Sequence, residues 1–248
     1  MSNGKGPVVV IPARMASTRL PGKPLAEIAG EPMIVQVLKR ALEADIGPVI
    51  VACAEREIAD AVKKAGGEAI LTRPDHPSGS DRVYEALETF DPDQKYDSVV
   101  NLQGDLPALD PAAVIASYDA LQKNQADIAT LVAEIEDPEE LDDENAVKAV
   151  VSFKEGEKIG RAIWFSRLKA PWGEGPHYHH IGIYAYQRVA LKAFIGMPPS
   201  PLEKREKLEQ LRALEAGMRI DAACVDTVPL GVDTPQDLER IRSLMEKK

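Results

Sequence analysis

Cysteine and histidine are scarce in this sequence. Its 248 residues include two cysteines and four histidines. Cys53 and Cys224 lie far apart, each in an apolar segment, and two such thiols form neither a disulfide framework nor a metal-binding pattern. We expect both thiols to be buried and free. His177, His179 and His180 have no supporting pattern of acids or cysteines, which argues against a histidine-rich metal tract.

Long apolar runs are also missing. No run approaches the roughly 18 residues that a membrane-spanning helix needs. The first ten residues, MSNGKGPVVV, lack the extended apolar region of a secretory signal. The sequence therefore predicts a cytoplasmic chain without a membrane partner.

Basic residues are outnumbered by acidic ones. The chain has 30 Lys and Arg against 40 Asp and Glu, a formal net charge of -10. This balance argues against a nucleic-acid partner or an anionic membrane surface, each of which favours a basic face. It is compatible with a small anionic substrate, because Arg14, Arg19 and Lys23 lie in a stretch with no acidic residue before Glu27.

Apolar segments of strand length alternate with segments of helical periodicity in the first half of the chain. Such alternation predicts an α/β fold in which helices cover both faces of a mostly parallel central sheet, giving three layers. With 44% apolar residues the chain can bury a sizeable core, and we expect a single domain over 1–248. The predicted strands are VVVIPA (8–13), PVIVAC (48–53), EAIL (68–71), SVVNLQ (98–103) and DIATLVAEI (127–135), with helices beginning near Pro32, Glu55, Ser80 and Pro111.

The second half of the chain is less regular. NAVKAVVSF (145–153) and RAIWFSR (161–167) are typical of antiparallel strands joined by a turn at Glu155–Gly160, and IGIYAY (181–186) is a further strand. We interpret about 144–188 as an antiparallel insertion, with an ordinary extension of the sheet as the alternative. Trp164 and Trp172 are expected to pack against other residues.

The loop after the first predicted strand carries the clearest functional signal. In IPARMASTRLPGKPL (11–25) an apolar strand leads into three cations and Gly22, which allows a close approach of the main chain to a ligand. The P-loop pattern is not met, because Ser17 occupies the position of its first glycine and Pro24 follows Lys23. We therefore expect side chains to hold a polyphosphate here, with a solvated basic loop as the alternative.

Two aspartates are left over once the helix starts are assigned. In QGDLPALDP (103–111) Asp110 can cap the helix that begins at Pro111, so Asp105 has no capping role. In GVDTPQDL (231–238) Thr234 and Asp237 can form a capping box, which leaves Asp233 over. Spare carboxylates at the ends of elements are candidates for a magnesium ion that also binds substrate phosphate. The alternative is a role in a turn or at a helix dipole.

Two further helix starts are well marked. Ser78 and Asp81 have capping-box spacing, and so do Ser200 and Glu203 in SPLE (200–203). The second start predicts one helix that continues to Gly217.

Several segments in a fixed order resemble the CMP-Kdo synthetase (3-deoxy-manno-octulosonate cytidylyltransferase) family, one of the sugar-activating nucleotidyltransferases. The likeness covers nearly the whole chain. It rests on PARxxSTRxPGKP in the first loop, TRPDHPSGSDR (72–82), NLQGD (101–105), NAVK (145–148), FSR (165–167), HIGIYAY (180–186), SPLE with LEQLR (208–212), and GVDTPQDLERIR (231–242).

The resemblance implies a Rossmann-like nucleotidyltransferase fold and a specific reaction. CMP passes from CTP to 3-deoxy-D-manno-octulosonate (Kdo), pyrophosphate is released, and the product serves lipopolysaccharide biosynthesis. The implied cofactor is Mg²⁺, held by Asp105 and Asp233. The implied assembly is a homodimer, with the 144–188 insertion covering the sugar site and supplying the dimer surface.

The resemblance also implies roles for individual residues. The catalytic set is Arg14, Lys23, Asp105 and Asp233. The nucleotide-binding set is Arg14, Arg19, Lys23, Arg73, Ser80 and Gln103. The sugar-binding set is Arg167, His180, Tyr184, Glu209 and Gln210, in which an arginine fork suits a sugar carboxylate and the other side chains suit hydroxyl groups.

One position departs from the family pattern. The family motif usually has QGDEP, and this chain has Leu106 in place of that glutamate. Any supporting role of the glutamate near the metal or nucleotide is therefore in doubt, while Asp105 is retained.

Two other functions stay open at this point. One is a cytidylyltransferase for another acidic sugar, such as 8-amino-Kdo or a sialic acid. The other is a non-catalytic nucleotide-binding protein on the same fold, since fold does not determine function. A dinucleotide oxidoreductase is disfavoured because no GxGxxG follows the first strand.

Overall fold

The computed structural model describes residues 6–246. The predicted lack of a signal sequence concerns a stretch whose first five residues lie outside this range. Two compact units are present within these residues: 6–115 together with 229–246, and 116–228. These boundaries do not coincide with the predicted 144–188 insertion, and the assignment of a single functional domain stays a prediction. Within residues 6–246, every helix is too short or too polar to cross a bilayer.

The first unit has a parallel sheet with helices between its strands. Its elements are β1 (Pro7–Ala13), β2 (Glu27–Ile28), β3 (Glu31–Pro32), α1 (Met33–Glu43), β4 (Val49–Cys53), α2 (Arg56–Lys64), β5 (Glu68–Leu71), α3 (Gly79–Phe90), β6 (Ser98–Asn101) and the start of α4 (Pro111–Lys123). The four main strands are parallel, in the order β5-β4-β1-β6. Val8 to Ile11 in the central strand β1 are fully buried, which explains the continuous apolar run there.

The second unit has a mixed sheet. Its elements are β7 (Ile128–Glu134), α5 (Pro138–Asp142), β8 (Lys148–Ser152), β9 (Ile159–Ser166), β10 (Tyr178–Gln187), α6 (Arg188–Ile195), α7 (Pro201–Glu206), α8 (Gln210–Glu215) and β11 (Ile220–Val225). The strand order is β10-β7-β11-β9-β8, and β8 also pairs with β10. The β7 and β11 strands are parallel and the other pairs are antiparallel. The predicted α/β fold, parallel in the first half and antiparallel at β8 and β9, is confirmed.

The final helix returns to the first unit. Helix α9 (Pro235–Met245) begins at the capping box formed by Thr234 and Asp237. Its buried residues Leu238 and Ile241 join Ile28, Met33 and Val232 in one apolar cluster. This packing fixes the start of the helix and with it Asp233, which precedes the N-cap Thr234.

One helix prediction was wrong. The helix expected from Ser200 to Gly217 is broken into α7 and α8, because Lys207 adopts a left-handed conformation with φ 57°. The capping box of Ser200 and Glu203 is confirmed. Arg212 in α8 bonds Glu203 in α7 through two contacts of 2.6 and 2.8 Å, so a partly buried ion pair bridges the break.

Two other expectations need correction. Cys53 is buried as predicted, but Cys224 is only half-buried. Trp172, expected to pack, is 100% exposed. It lies in the glycine- and proline-rich loop between β9 and β10, where the chain has no regular structure to pack against.

Candidate active site

The first loop places Lys23 by means of a short 3-10 turn, Lys23–Leu25. Gly22 precedes the turn with φ 69°, a left-handed conformation that glycine adopts readily. The turn is closed by the Leu25 N–H, which donates to the Gly22 carbonyl at 2.9 Å. The PGKP sequence thus turns the chain sharply and directs the lysine side chain inward, leaving it 15% exposed.

The Lys23 ammonium joins the two candidate carboxylates. Its Nζ lies 2.7 Å from Asp105 Oδ2 and 3.0 Å from Asp233 Oδ1. Arg19 adds a contact of 3.0 Å between Nη2 and Asp233 Oδ2. The predicted convergence of Asp105, Asp233 and the first loop is therefore confirmed.

The main chain around Asp105 is tightly packed. A Cβ atom on Gly104 would lie 2.8 Å from the carbonyl oxygen of Pro12, closer than real Cβ contacts allow. The Asp105 carbonyl accepts a bond of 3.0 Å from the Val232 N–H. Glycine is thus required at position 104 because the end of β1 lies so close. The Asp105 main chain is held by its own carbonyl, so its carboxylate is not needed to hold the main chain in place.

Asp233 is positioned by the helix that follows it. The Asp237 carboxylate accepts from the main-chain N–H groups of Asp233 and Thr234 at 3.1 and 2.8 Å. The pKa of Asp237 lies below its ordinary value, mainly because the Thr234 side chain donates a hydrogen bond to it and also because the Thr234 main chain does. Desolvation by burial opposes this shift. Capping is therefore done by Thr234 and Asp237, as predicted, and the Asp233 side chain faces Lys23. The Ala112 N–H likewise bonds Asp110, which confirms the cap of α4.

A cleft of about 420 Å³ opens beside this group. Four residues of the predicted nucleotide set line it, Arg14, Arg19, Lys23 and Gln103, and Asp105 lines it as well. Several residues that the sequence analysis places in no site also line the cleft: Ser17, Thr18, Ser78, Gly79, His76 and Arg82. The hydroxyl and glycine positions of the STR and PSGS segments were the available signals for them.

Arg82 is the most informative of these missed residues. It is 3% exposed, and its Nη1 donates to Thr72 Oγ1 at 2.5 Å and to the Arg73 carbonyl at 3.2 Å. Burial lowers the pKa of Arg82 below its usual range, an effect that Glu55 opposes. The guanidinium remains a cation at neutral pH and adds positive charge to the cleft wall.

Two predicted nucleotide residues do not line the cleft. The Arg73 side chain is 69% exposed and bonds Glu85, which also bonds His76 Nε2 at 2.6 Å. Ser80 is 3% exposed within α3. Burial raises the pKa of Glu85, but hydrogen bonds from Arg73 and His76 outweigh it and leave that pKa below the ordinary value. Contacts of Arg73 and Ser80 with a nucleotide stay predictions.

The carboxylate pair fits a magnesium ion. Both carboxylates contact the same atom, Lys23 Nζ. Both are also partly accessible to solvent, with the side chains of Asp105 and Asp233 30% and 50% exposed. Within residues 6–246 there is no cluster of three or more His, Cys, Asp and Glu side chains that could hold a metal. Magnesium is commonly bound by one or two carboxylates, with substrate phosphates and water completing its shell. The donor set matches that chemistry.

Leu106 follows the carboxylate on the wall of the apolar interior. Leu106 is 8% exposed, and its Cδ2 lies 3.8 Å from the position that a Cβ atom on Gly231 would occupy. The side chain at this position therefore packs, and it supplies no ligand atom.

The predicted sugar residues lie in the second unit. A bulge in β10 shifts its register against β7 between Ile181 and Tyr184. Thr130 Oγ1 lies 3.0 Å from the Ile181 and Ile183 carbonyls and 3.0 Å from His180 Nε2. Because the single hydroxyl proton serves the carbonyls, the His180 Nε2–H is the donor to Thr130, and Nδ1 is the acceptor nitrogen of the neutral ring.

His180 and Tyr184 share one aromatic surface. Their ring centroids are 5.5 Å apart, and Phe165 meets His180 edge-on at 4.9 Å. Burial, assisted by His179, lowers the pKa of His180 to about 3. Burial raises the pKa of Tyr184 well above its ordinary value, with Tyr186 and Glu209 adding to the shift. Both side chains are neutral at pH 7 and suit recognition of hydroxyl groups.

Arg167 joins this set through the α7–α8 corner. Its Nε donates to the Glu206 carbonyl at 2.9 Å, just before the break, and Glu209 and Gln210 follow the break. Gln210 is 7% exposed, whereas the Glu209 side chain is 36% exposed and lies 3.6 Å from Arg212. His180 and Tyr184 are thus in ring contact and Glu209 influences the pKa of Tyr184, while Arg167 is bonded to Glu206, three residues before Glu209. The contact of any of them with a sugar stays a prediction.

Fold and cleft together define a nucleotidyltransferase. The sequence matches the cytidylyltransferase family over residues 8–220. It is 63% identical over 242 residues to the 3-deoxy-manno-octulosonate cytidylyltransferase of Parvibaculum lavamentivorans, covering 98% of this chain and 93% of that protein. The enzyme of the same name from Rhodospirillum centenum is 62% identical over 244 residues, covering 98% and 95%.

A solved structure gives the same result. A CMP:2-keto-3-deoxy-manno-octonic acid synthetase in complex with CTP superposes with a TM-score of 0.90 and 39% identity, over 98% of this chain and 99% of that one. The chain belongs to the 3-deoxy-manno-octulosonate cytidylyltransferase family.

Proposed function

We propose that this enzyme transfers CMP from CTP to Kdo and releases pyrophosphate, a step of lipopolysaccharide biosynthesis. The observation that carries the proposal is the Lys23 ammonium bound to both Asp105 and Asp233 beside a cleft lined by cations. The names of the relatives supply the acceptor.

The chain's own residues account for nucleotide binding. Arg14, Arg19 and Lys23 face a cleft large enough for a nucleotide and supply positive charge for its phosphates. In the reaction they stabilise the negative charge that builds up on the departing pyrophosphate. Gln103 lines the same wall as a neutral donor and acceptor.

Magnesium is the proposed cofactor, with Asp105 and Asp233 as its protein ligands. When bound, the ion would neutralise phosphate charge and lower the pKa of the acceptor hydroxyl that attacks the α-phosphorus. The two carboxylates would hold the ion in place of the Lys23 ammonium, and Lys23, which lines the same cleft, would then neutralise a phosphate oxygen.

The acceptor residues favour a carboxylated, hydroxyl-rich sugar. The Arg167 guanidinium suits a carboxylate, while neutral His180 and Tyr184 suit hydroxyl groups. A site built to bond a hydroxyl discriminates strongly against an analogue that lacks it. This supports selectivity for a particular ulosonic acid.

The test is pyrophosphate release from CTP with a panel of sugars. We expect turnover with Kdo well above turnover with N-acetylneuraminate, and none with hexose phosphates. Equal transfer to Kdo and N-acetylneuraminate would reject Kdo as the specific acceptor but would leave the cytidylyltransferase activity supported. Preference for 8-amino-Kdo would identify that sugar instead, and absence of release with every sugar would favour a non-catalytic nucleotide-binding protein.

We propose a homodimer that works in the cytoplasm without a membrane or nucleic-acid partner. CTP is an intracellular nucleotide, and the net charge of -10 opposes binding to polyanions. Support for the dimer comes from three exposed apolar side chains within the 144–188 segment: Ile163, Leu168 and Trp172. Sedimentation of the wild type and of a Leu168→Ser, Trp172→Ser variant tests this, since the variant should shift toward monomer.

A further inference from the structure

Lys148 is a fully buried lysine outside every set of residues assigned above. Its residue is 0% exposed at the start of β8. The Nζ donates to two main-chain carbonyls, those of Asp143 at 2.6 Å and Arg167 at 3.1 Å. Burying an ammonium is costly unless its charge is compensated, so a lysine at this position calls for an explanation.

The strand register places Lys148 between two predicted sugar residues. Lys148 is paired with Ser166 of β9, the residue before Arg167, and with His179 of β10, the residue before His180. The adjacent Val147 carbonyl accepts from the His180 N–H at 2.8 Å. The start of β8 therefore holds the main chain of both Arg167 and His180.

Arg167 and Lys148 both bond main-chain carbonyls of the 143–144 loop. Lys148 binds the Asp143 carbonyl, and Arg167 Nη1 donates to the next carbonyl, that of Glu144, at 2.9 Å. Arg167 Nε donates to the Glu206 carbonyl at 2.9 Å. These bonds hold the guanidinium by Nε and Nη1 against main-chain carbonyls on two segments.

We propose that Lys148 is a positioning residue for the acceptor-sugar site. Its two bonds fix the Arg167 main chain and the 143–144 loop, so that the Arg167 guanidinium is held in one orientation for the sugar carboxylate. This inference rests on the proposed function and deepens it, because it concerns the acceptor and leaves the CTP cleft aside.

The test compares Lys148→Met with Lys158→Met. Methionine keeps the length and apolar stem of lysine without its charge or donors, and replacing buried charge by an apolar group of similar volume is often tolerated. Lys158, an exposed lysine of the same unit that pairs with Asp226, is the matched control. KM for CTP, KM for Kdo and kcat are measured for each protein.

We expect Lys148→Met to raise the KM for Kdo at least about tenfold. Losing a hydrogen bond from a charged group changes an equilibrium constant by more than about tenfold. The KM for CTP should stay within about twofold and Lys158→Met should match the wild type, because neither the CTP cleft nor an exposed pair depends on Lys148. A purely structural role would lower the melting temperature and the active fraction without separating the two KM values.

Two further variants locate the effect. The double variant Lys148→Met, Arg167→Ala should have a KM for Kdo no higher than that of Arg167→Ala alone, because both changes disable the same guanidinium. Lys148→Gln, which keeps a polar donor, must show the same separation of KM values and serves if the methionine variant does not fold. Additive effects of Lys148→Met and Arg167→Ala would overturn the proposal, and so would equal changes in both KM values.

The wild type distinguishes this inference from the proposed function. If it uses another carboxylated sugar and not Kdo, the proposed acceptor is wrong, and the same variants are compared with that sugar. If it uses Kdo and Lys148→Met leaves its KM unchanged, the role of Lys148 is wrong and the proposed function stands.

Discussion

Asp105 and Asp233 meet at one ammonium group, that of Lys23, although the whole second unit, 116–228, separates them in the sequence. The distances are 2.7 and 3.0 Å. Two carboxylates that converge on one cation form a compact negative site, and their charges are compensated by a side chain that also faces the cleft.

Conversion of either aspartate to asparagine should abolish most of the activity. Asn keeps the shape and removes the charge proposed to hold the metal, a loss of several kcal/mol of transition-state stabilisation and so at least about a hundredfold in kcat. The melting temperature should fall by less than about 4 °C, because ion pairs as exposed as these contribute little stability. Pyrophosphate release and thermal unfolding check both outcomes.

Asp93→Asn is the control for these variants, since Asp93 is 71% exposed and pairs with Lys95. Near-normal turnover of Asp105→Asn or Asp233→Asn at saturating magnesium would remove that residue from the metal site.

Arg14→Ala and Lys23→Ala should each raise the KM for CTP by about tenfold or more, because each loses a charge-assisted contact to phosphate. The KM for the sugar should change much less. Lys23→Arg should not restore function, since a planar fork cannot replace a point charge that is 15% exposed between two carboxylates. Initial-rate measurements with each substrate varied in turn decide this, and Lys39→Ala, at an exposed position of α1, is the control. An unaltered KM for CTP in both alanine variants would show that this loop is a solvated basic segment and does not bind phosphate.

His180 should make stability fall in mild acid. Its folded pKa of about 3 lies below its ordinary value of 6.5, so between these pH values the unfolded chain binds a proton that the folded protein does not. The free energy of unfolding then decreases as pH falls from 6.5 toward 3, by up to about 1.4 kcal/mol per pH unit for this one group. The contribution is complete above pH 6.5.

Urea unfolding of the wild type and of His180→Gln at several pH values isolates this effect. The stability difference between the two proteins should shift in favour of the variant as the pH is lowered. A difference that is constant with pH would show that His180 titrates normally.

Gly104→Ala should destabilise the first unit by about 1–3 kcal/mol, the usual cost of overpacking, because the new Cβ would lie 2.8 Å from the Pro12 carbonyl oxygen. Gly79→Ala is the matched control. Its Cβ would meet only Pro12 Cγ at 3.8 Å, at the first residue of α3, where alanine lowers the entropy of the unfolded chain and should stabilise slightly. Opposite signs in chemical unfolding are expected, and similar stabilities of the two variants would contradict the steric argument.

Much of this site follows from local rules. Caps obey sequence spacing, so assigning Asp110, Thr234 and Asp237 to helix starts correctly left Asp105 and Asp233 over for another task. The alternation of strands and helices predicted the parallel sheet that brings them together. These features depend on residues close in sequence, which explains why they could be predicted.

The missed features depend on residues far apart in sequence or on backbone conformation. The left-handed Lys207 breaks a segment whose residues all have good helix propensity, and no glycine marks the break. Arg82 and Lys148 are charged residues that the sequence suggests are exposed, yet both are buried against carbonyl groups supplied by other segments. The partners of such residues are known only once the fold has assembled them.

The contact between Gly104 and Pro12 has a consequence for protein engineering. It brings the segment after β6 close to the end of β1, where the side chains of Ile11 and Ile34 also lie within 3.6 Å of the position of a Cβ on Gly104. The loop that carries Arg14, Arg19 and Lys23 and the loop that carries Asp105 therefore approach each other closely at a position that only glycine fits. Libraries that vary the cleft side chains to accept other nucleotides can be built on this frame without redesigning its backbone.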